Sequence, residues 1–387
     1  MIHKYFFSLF LLLSGAGVQA QQSFTPVFVS GQDGHKSYRI PAIVSAGGKL
    51  LAFCEGRVDH AGDFGDINIV LKESADGGKT WSALRTVVDY NNLQAGNPAP
   101  VVDMTDPAYP SGRIFLFYNT GDNHESEVRK GKGLREVWYK TSTDGGLSWS
   151  DAVNITTQTH RPNRPDLNPA YNFKEDWRSY ANTPGHAMQF ADGKFKGRIF
   201  VAANHSSGTP DREFKDYQAH GFYTDDHGKT FHLSETVSTP GGNEAMAAQL
   251  KGDRMVMNIR NQRGDERSRI IAESSDGGAT WDTTFFDRQL PDPVCQGAVL
   301  SVGSARKRIL LFCNNADTVQ RNNLVLRVSR NDGKSYYKSI PIANRPDNPR
   351  RNSHTAYSDL VANGKKKVGI LFEYDDYKQI VFTNVAY

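Results

Sequence analysis

Four arginines are the first chemical signal in this chain. Arg39 lies just before a strand-like apolar run, Arg57 just after the next one, Arg260 at the end of another, and Arg321 in a polar stretch between two more. Each alone reads as a solvated or paired surface cation. Together they read differently if the strands that carry them share one end. Guanidiniums converging on one point need an anion, and a planar carboxylate matches their paired N–H groups bidentately.

The elements that must position them are set out by a repeat. The pattern Ser-x-Asp-x-Gly-x-Thr-Trp at Ser74 to Trp81 returns at Ser142 to Trp149, Thr224 to Phe231 and Ser274 to Trp281, and in degenerate form at Ser329 to Tyr336, with Asn331 in the Asp place. Each copy is turn chemistry: an Asp that binds nearby backbone N–H groups, a Gly free to take positive φ, and an aromatic anchor. Apolar runs precede every copy, so the chain reads as stacked copies of one unit. A sixth unit without a box follows, in Asp359 to Ala362, Lys366 to Glu373 and Gln379 to Asn384.

The expected fold is all-β: a six-bladed β-propeller of four-stranded antiparallel blades, with Pro26 to Val29 as the outer strand that closes the last blade. A β-sandwich would not explain one turn recurring at one place in every unit. In such blades the boxed turns lie on one face. The long polar stretches Glu55 to Asp66, Thr120 to Arg135, Thr156 to Gly185, Asn261 to Ser268 and Asn315 to Asn322 lie on the other, where a scaffold of this kind binds ligands.

Residues 1–20 read as a secretory signal peptide: Lys4, an apolar run from Tyr5 to Leu13, and a small-residue site ending at Ala20. The run is shorter than the roughly 20 residues of a spanning helix, so no stable membrane insertion is expected. Residues 21–387 are read as one propeller domain, exported to the periplasm or secreted. A formal charge of +4 does not point to nucleic acid. Cys54, Cys295 and Cys313 read as buried free thiols, and no Cys/His set has zinc spacing.

Tyr38-Arg39-Ile40-Pro41 together with the repeated boxes resembles the bacterial exo-α-sialidases (neuraminidases), over essentially the whole chain after the leader. The resemblance implies that Arg39, Arg260 and Arg321 clamp a substrate carboxylate and that Arg57 helps position the sugar. It implies Asp63 as acid/base, with Asp66 as rival, Glu244 as partner of the nucleophile, and Tyr357 as nucleophile. Sialic acid bears a carboxylate on its anomeric carbon, so a neutral phenol is a better nucleophile than a second carboxylate, and configuration is retained. The implied partners are glycans with terminal sialic acid. No cofactor and no catalytic metal are implied, and Asp225-Asp226 reads as box chemistry. Trp177, Tyr180 and His186 read either as pocket lining or as loop packing. A trans-sialidase and a glycosidase for another acidic sugar fit the same arginines; the competing class is a non-catalytic propeller that binds glycans or proteins, which would have no reason to keep Asp63, Glu244 and Tyr357 on the face that bears the arginines.

Overall fold

The computed structural model describes residues 24–345 and 354–387, so the leader expected over residues 1–20 lies outside the described residues. It is an all-β propeller whose helices are single turns at Glu125–Val128, Thr156–Thr159 and Ala305–Lys307. No helix among the described residues is long and apolar enough to cross a membrane.

Four sheets stand as separate blades. One joins Thr355–Ala362, Lys367–Tyr374 and Gln379–Ala386 to the N-terminal strand Thr25–Val29, which closes the ring as expected. Two others comprise Gly242–Gln249 through Thr283–Pro291 and Ala298–Val302 through Lys338–Ala343. The remaining one runs Trp177–Asn182, Ile199–Ser207, Tyr217–Thr224 and His232–Leu233, with Met188–Gln189 also paired to Ile199–Ser207.

The expected six separate blades are corrected here. The first two units form a single eight-stranded sheet from Ser37–Ala46 to Val153–Asn154. The join is a parallel contact of Ile67 with Gln94, where the Ile67 N–H donates to the Leu93 carbonyl at 3.3 Å. Its cause is the short outer strand Arg85–Val88, which pairs only with Ile69 to Leu71 and leaves the backbone of Ile67 open to the incoming chain. Unpaired strand N–H groups are filled where a partner is near.

A second correction concerns Thr156 to Gly185, expected as irregular. It contains the strand Trp177–Asn182, so the inner strand of that blade is broken into two pieces around Pro184-Gly185. The His186 N–H, lost to the ladder, donates instead to Asp359 at 2.9 Å.

The boxes form self-contained turns. In the first, Ser74 Oγ donates to Asp76 at 2.8 Å, Asp76 accepts the Thr80 N–H at 3.0 Å, and Ser74 Oγ accepts the Gly78 N–H at 2.8 Å. Gly78 is required twice over: its φ is +91°, and a Cβ there would lie 2.0 Å from the Phe382 ring. The box aromatics key each unit to its neighbour, Trp81 against Phe382, Trp149 against Phe53, Phe231 against Phe117 and Trp281 against Phe200. Asn331 keeps the same contacts, accepting from Ser329 Oγ and the Ser335 N–H. The second strands Lys49–Arg57 and Arg113–Gly121 are buried almost throughout, and they form the apolar packing between units. All three cysteines are buried and free.

Candidate active site

Each second strand starts at the boxed end and finishes at the opposite end, where the innermost strands break register. Pairing shifts occur between Arg39 and Ala42, Gly96 and Ala99, Gly242 and Ala245, and Thr355 and Ser358. These are bulges, which leave residues unpaired and re-aim their side chains. Glu244 and Tyr357 lie inside two of them, Asn97 lies inside another, and Arg39 precedes the remaining one. Ile40 at φ 60° and Asn97 at φ 53° carry the local strain, and each is followed by a proline that has no N–H to lose.

The bulged ends surround a cavity of about 200 Å³, and Arg39, Arg57, Asp63, Glu244, Arg260, Arg321 and Tyr357 all line it. Asp66 does not; its carboxylate accepts from Asn68 at 3.4 Å instead. At the centre, the Tyr357 hydroxyl donates to Glu244 Oε1 at 2.5 Å. Arg260 Nη1 donates to Glu244 Oε2 at 2.6 Å and to the Tyr357 oxygen at 3.1 Å. Burial and then Glu244 push the Tyr357 phenol well above its ordinary pKa, against Arg260 and Arg321, so the free site holds a neutral hydroxyl.

Arg39 is fixed through Nε, which donates to Glu373 Oε1 at 2.6 Å. The same carboxylate accepts the Ile40 N–H at 2.9 Å and the Tyr357 N–H at 3.1 Å, so one buried Glu373 ties two bulges together. The Arg39 guanidinium also lies 3.9 Å from the centroid of the Tyr377 ring, and Arg321 Nη1 donates to the Tyr377 hydroxyl at 3.2 Å. Beneath them, Cys295 packs with Ile40, Ala356 and Tyr357, and burial pushes its thiol up.

Arg57 is held by Glu55 at 2.7 Å and reaches Asp63 at 2.8 Å. The Asp63 side chain is 72% exposed. Desolvation in the cleft pushes its carboxyl up, Arg57 and then Arg39 outweigh that, and the net result lies below the ordinary value. Glu55 also accepts the Asn97 N–H at 3.0 Å.

Glu55, Glu373 and Asn97 are given no role in the site by the sequence reading. A signal existed for each: an acid ending an apolar buried run, in Phe-Cys-Glu and Leu-Phe-Glu, needs a cation, and Asn97-Pro98 inside a strand calls for a bulge. Of the three residues with two readings, Tyr180 lines the cavity. Trp177 stacks on His205 at 3.6 Å, and His186 binds Asp359 at 2.7 Å. Asp226 makes the box contacts to Thr230, while Asp225 pairs with Arg198 at 2.8 Å.

The chain matches the BNR repeat-like domain over residues 48–370. A sialidase of Micromonospora viridifaciens is 30% identical over 365 residues, covering 89% of this chain and 51% of that protein, so the chain spans about half its length. An exo-alpha-sialidase of Arthroderma benhamiae is 27% identical over 377 residues, covering 89% of this chain and 80% of its own. Among solved structures, the Hadza microbial sialidase Hz136 superposes with a TM-score of 0.75 at 22% identity, over 94% of this chain and 68% of its own. The chain belongs to the family of the BNR repeat-like domain.

Proposed function

We propose that this protein is a retaining exo-α-sialidase that removes terminal sialic acid from glycans through a tyrosyl-enzyme intermediate. The observation that carries the reading is the 2.5 Å contact of the Tyr357 hydroxyl with Glu244 among the arginines of the cavity. A phenol that must attack a carbon already bearing a carboxylate needs a base for its proton and cations for the charge, and both are within reach.

In this mechanism Arg39, Arg260 and Arg321 hold the substrate carboxylate. Asp63 protonates the glycosidic oxygen as its bond to the anomeric carbon breaks. The Tyr357 oxygen bonds to that carbon, and its proton passes to Glu244. In the second half Asp63 takes a proton from water, the water oxygen replaces Tyr357, and Glu244 returns the proton to the phenol. Asp63 must first be protonated although Arg57 and Arg39 favour its anion. The incoming carboxylate supplies the correction, because it offsets the charge of Arg39 and raises the Asp63 pKa in the complex.

Export through residues 1–20 belongs to the same reading and is checked by sequencing the N-terminus of the mature protein. The activity is checked by incubating purified protein with an umbelliferyl α-sialoside and following the product by proton NMR. The α-anomer of free sialic acid should form first. Binding without release would favour a glycan-binding propeller, and formation of sialyllactose in excess of free acid when lactose is added would favour transfer over hydrolysis.

A further inference from the structure

The strands Gly242–Gln249, Ala298–Val302 and Thr355–Ala362 each stand last in their sheet, with one edge left unpaired by any further strand. Backbone groups on such an edge need partners from elsewhere. At Ser358 a buried glutamine supplies them. Gln296 is 1% exposed; its Oε1 accepts the Ser358 N–H at 3.0 Å and its Nε2 donates to the Ser358 carbonyl at 2.9 Å. The amide thus exchanges both bonds with one residue, as a facing strand would. The other Nε2 hydrogen goes to the Pro184 carbonyl at 3.0 Å, where the inner strand of the Trp177–Asn182 blade is broken, and Met246 Sδ lies 3.4 Å from the same nitrogen.

Two of the strands that Gln296 touches carry the central pair of the cavity. Ser358 follows Tyr357, and Met246 stands two residues beyond Glu244. Tyr357 and Glu244 both lie within bulges, where ladder pairing does not fix them; on the Tyr357 strand the register resumes only at Ser358. The peptide groups on either side of the Tyr357 Cα are held by side chains instead, the Tyr357 N–H by Glu373 at 3.1 Å and the Ser358 N–H by Gln296. Glu373 comes from the adjacent strand of the same sheet, Lys367–Tyr374, whereas Gln296 comes from another unit and meets the Glu244 strand as well. Gly185, at φ +116°, brings the Trp177–Asn182 blade against the same place: a Cβ there would lie 2.7 Å from Met246 Sδ, so Met246 is confined between Gly185 and the amide.

We infer that Gln296 is a positioning residue for the proposed reaction: it holds the Tyr357 main chain against the Glu244 strand, so that the phenol and the carboxylate keep their 2.5 Å contact. The inference rests on the sialidase reading. In that reading the phenol passes its proton to Glu244 as its oxygen closes on the anomeric carbon, and a misplacement of about 1 Å at such a step can cost about 10²-fold in rate. Gln296 does not line the cavity, and among the described residues it bonds to none of the arginines assigned to the substrate carboxylate. Its loss therefore acts on the chemical step and leaves binding in place.

The test compares wild type, Gln296→Met and Gln296→Glu by three measurements: kcat/KM on an umbelliferyl α-sialoside, the maximal rate of inactivation by a 2,3-difluoro sialic acid, and the inhibition constant of free sialic acid. Methionine keeps the shape and loses every hydrogen bond, whereas a glutamic acid, protonated at so buried a place, keeps the acceptor and one donor. Gln296→Met should lose about tenfold or more in kcat/KM and in the inactivation rate while the inhibition constant stays within about threefold, and Gln296→Glu should fall between it and wild type. Wild-type rates in folded Gln296→Met, or a loss of rate matched by an equal loss of sialic acid binding, would overturn the inference and leave the sialidase reading intact. Should the methionine variant not fold, Gln296→Glu decides alone: slower inactivation at an unchanged inhibition constant supports the inference, and wild-type rates overturn it. A lower urea midpoint with unchanged rates per folded molecule would make Gln296 structural only and overturn it too. No cleavage and no inactivation of wild type would remove both readings.

Discussion

At the boxed end of the strands, Ser274, Asp276 and Thr280 satisfy one another inside a single turn. At the cavity end, Arg39 finds Glu373 at a separation of 334 residues, and Arg135 finds no partner among the described residues. The same strands join the two ends, so the difference is not one of scaffold. Local hydrogen bonding makes the boxes independent modules that tolerate change singly. Long-range pairing makes the cavity one coupled unit.

The comparison is broken most directly at Arg260. Arg260→Ala removes a proposed clamp residue and the counter-charge of Glu244 at once, and kcat/KM should fall about 10²- to 10³-fold in protein that still melts cooperatively. A loss below tenfold would mean that the cavity is less coupled than its contacts imply. Next is Glu373→Ala, which leaves Arg39 buried without its carboxylate and frees two bulge N–H groups. A destabilisation of about 3 kcal/mol by urea unfolding is expected, with activity lost in the same variant. A change under about 1 kcal/mol would show that the bulges hold without it.

Asp63→Asn separates chemistry from structure. On a sialyl-galactose linkage the loss should reach about 10²-fold, while an umbelliferyl sialoside, whose leaving group departs without a proton, loses much less. Equal losses would make Asp63 structural, and a larger differential in Asp66→Asn would move the role there. The pH dependence has two signs. Because the folded pKa of Asp63 is lowered, its pair with Arg57 stabilises the fold above the ordinary carboxylate value and stops doing so as pH falls through the lowered value, weakly at 72% exposure. The proposed mechanism uses the acid form, so kcat/KM on the galactose linkage should climb as pH falls toward that value, and the umbelliferyl substrate should respond less. The smallest effect belongs to a box. Asp276→Ala should cost about 1 kcal/mol with kcat unchanged, and a loss of activity there would couple the two ends.

The same division explains what could be read in the residues beforehand. The boxes were legible because Ser74, Asp76, Gly78 and Trp81 carry their whole logic within one turn. The closing strand Thr25–Val29 and the convergence of Arg39, Arg260 and Arg321 followed from that repeat. That Glu373 and Glu55 each need a cation can be read from their buried apolar runs, but which cation cannot, since their partners are set by tertiary register. Nor were the bulges at Glu244 and Tyr357, which depend on how two strands pair rather than on either strand alone. The blade count failed for a related reason. The boundary between the first two units rests on one parallel contact, Ile67 with Gln94, and no local pattern announces it.

The most direct measurement is covalent trapping at Tyr357. A 2,3-difluoro sialic acid slows hydrolysis of a glycosyl-enzyme intermediate, so peptide mass spectrometry of the inactivated protein should find the sugar on the Tyr357 phenol, and Tyr357→Phe should take up none. An adduct on another residue, or turnover by wild type that releases the inverted anomer first, would contradict the account.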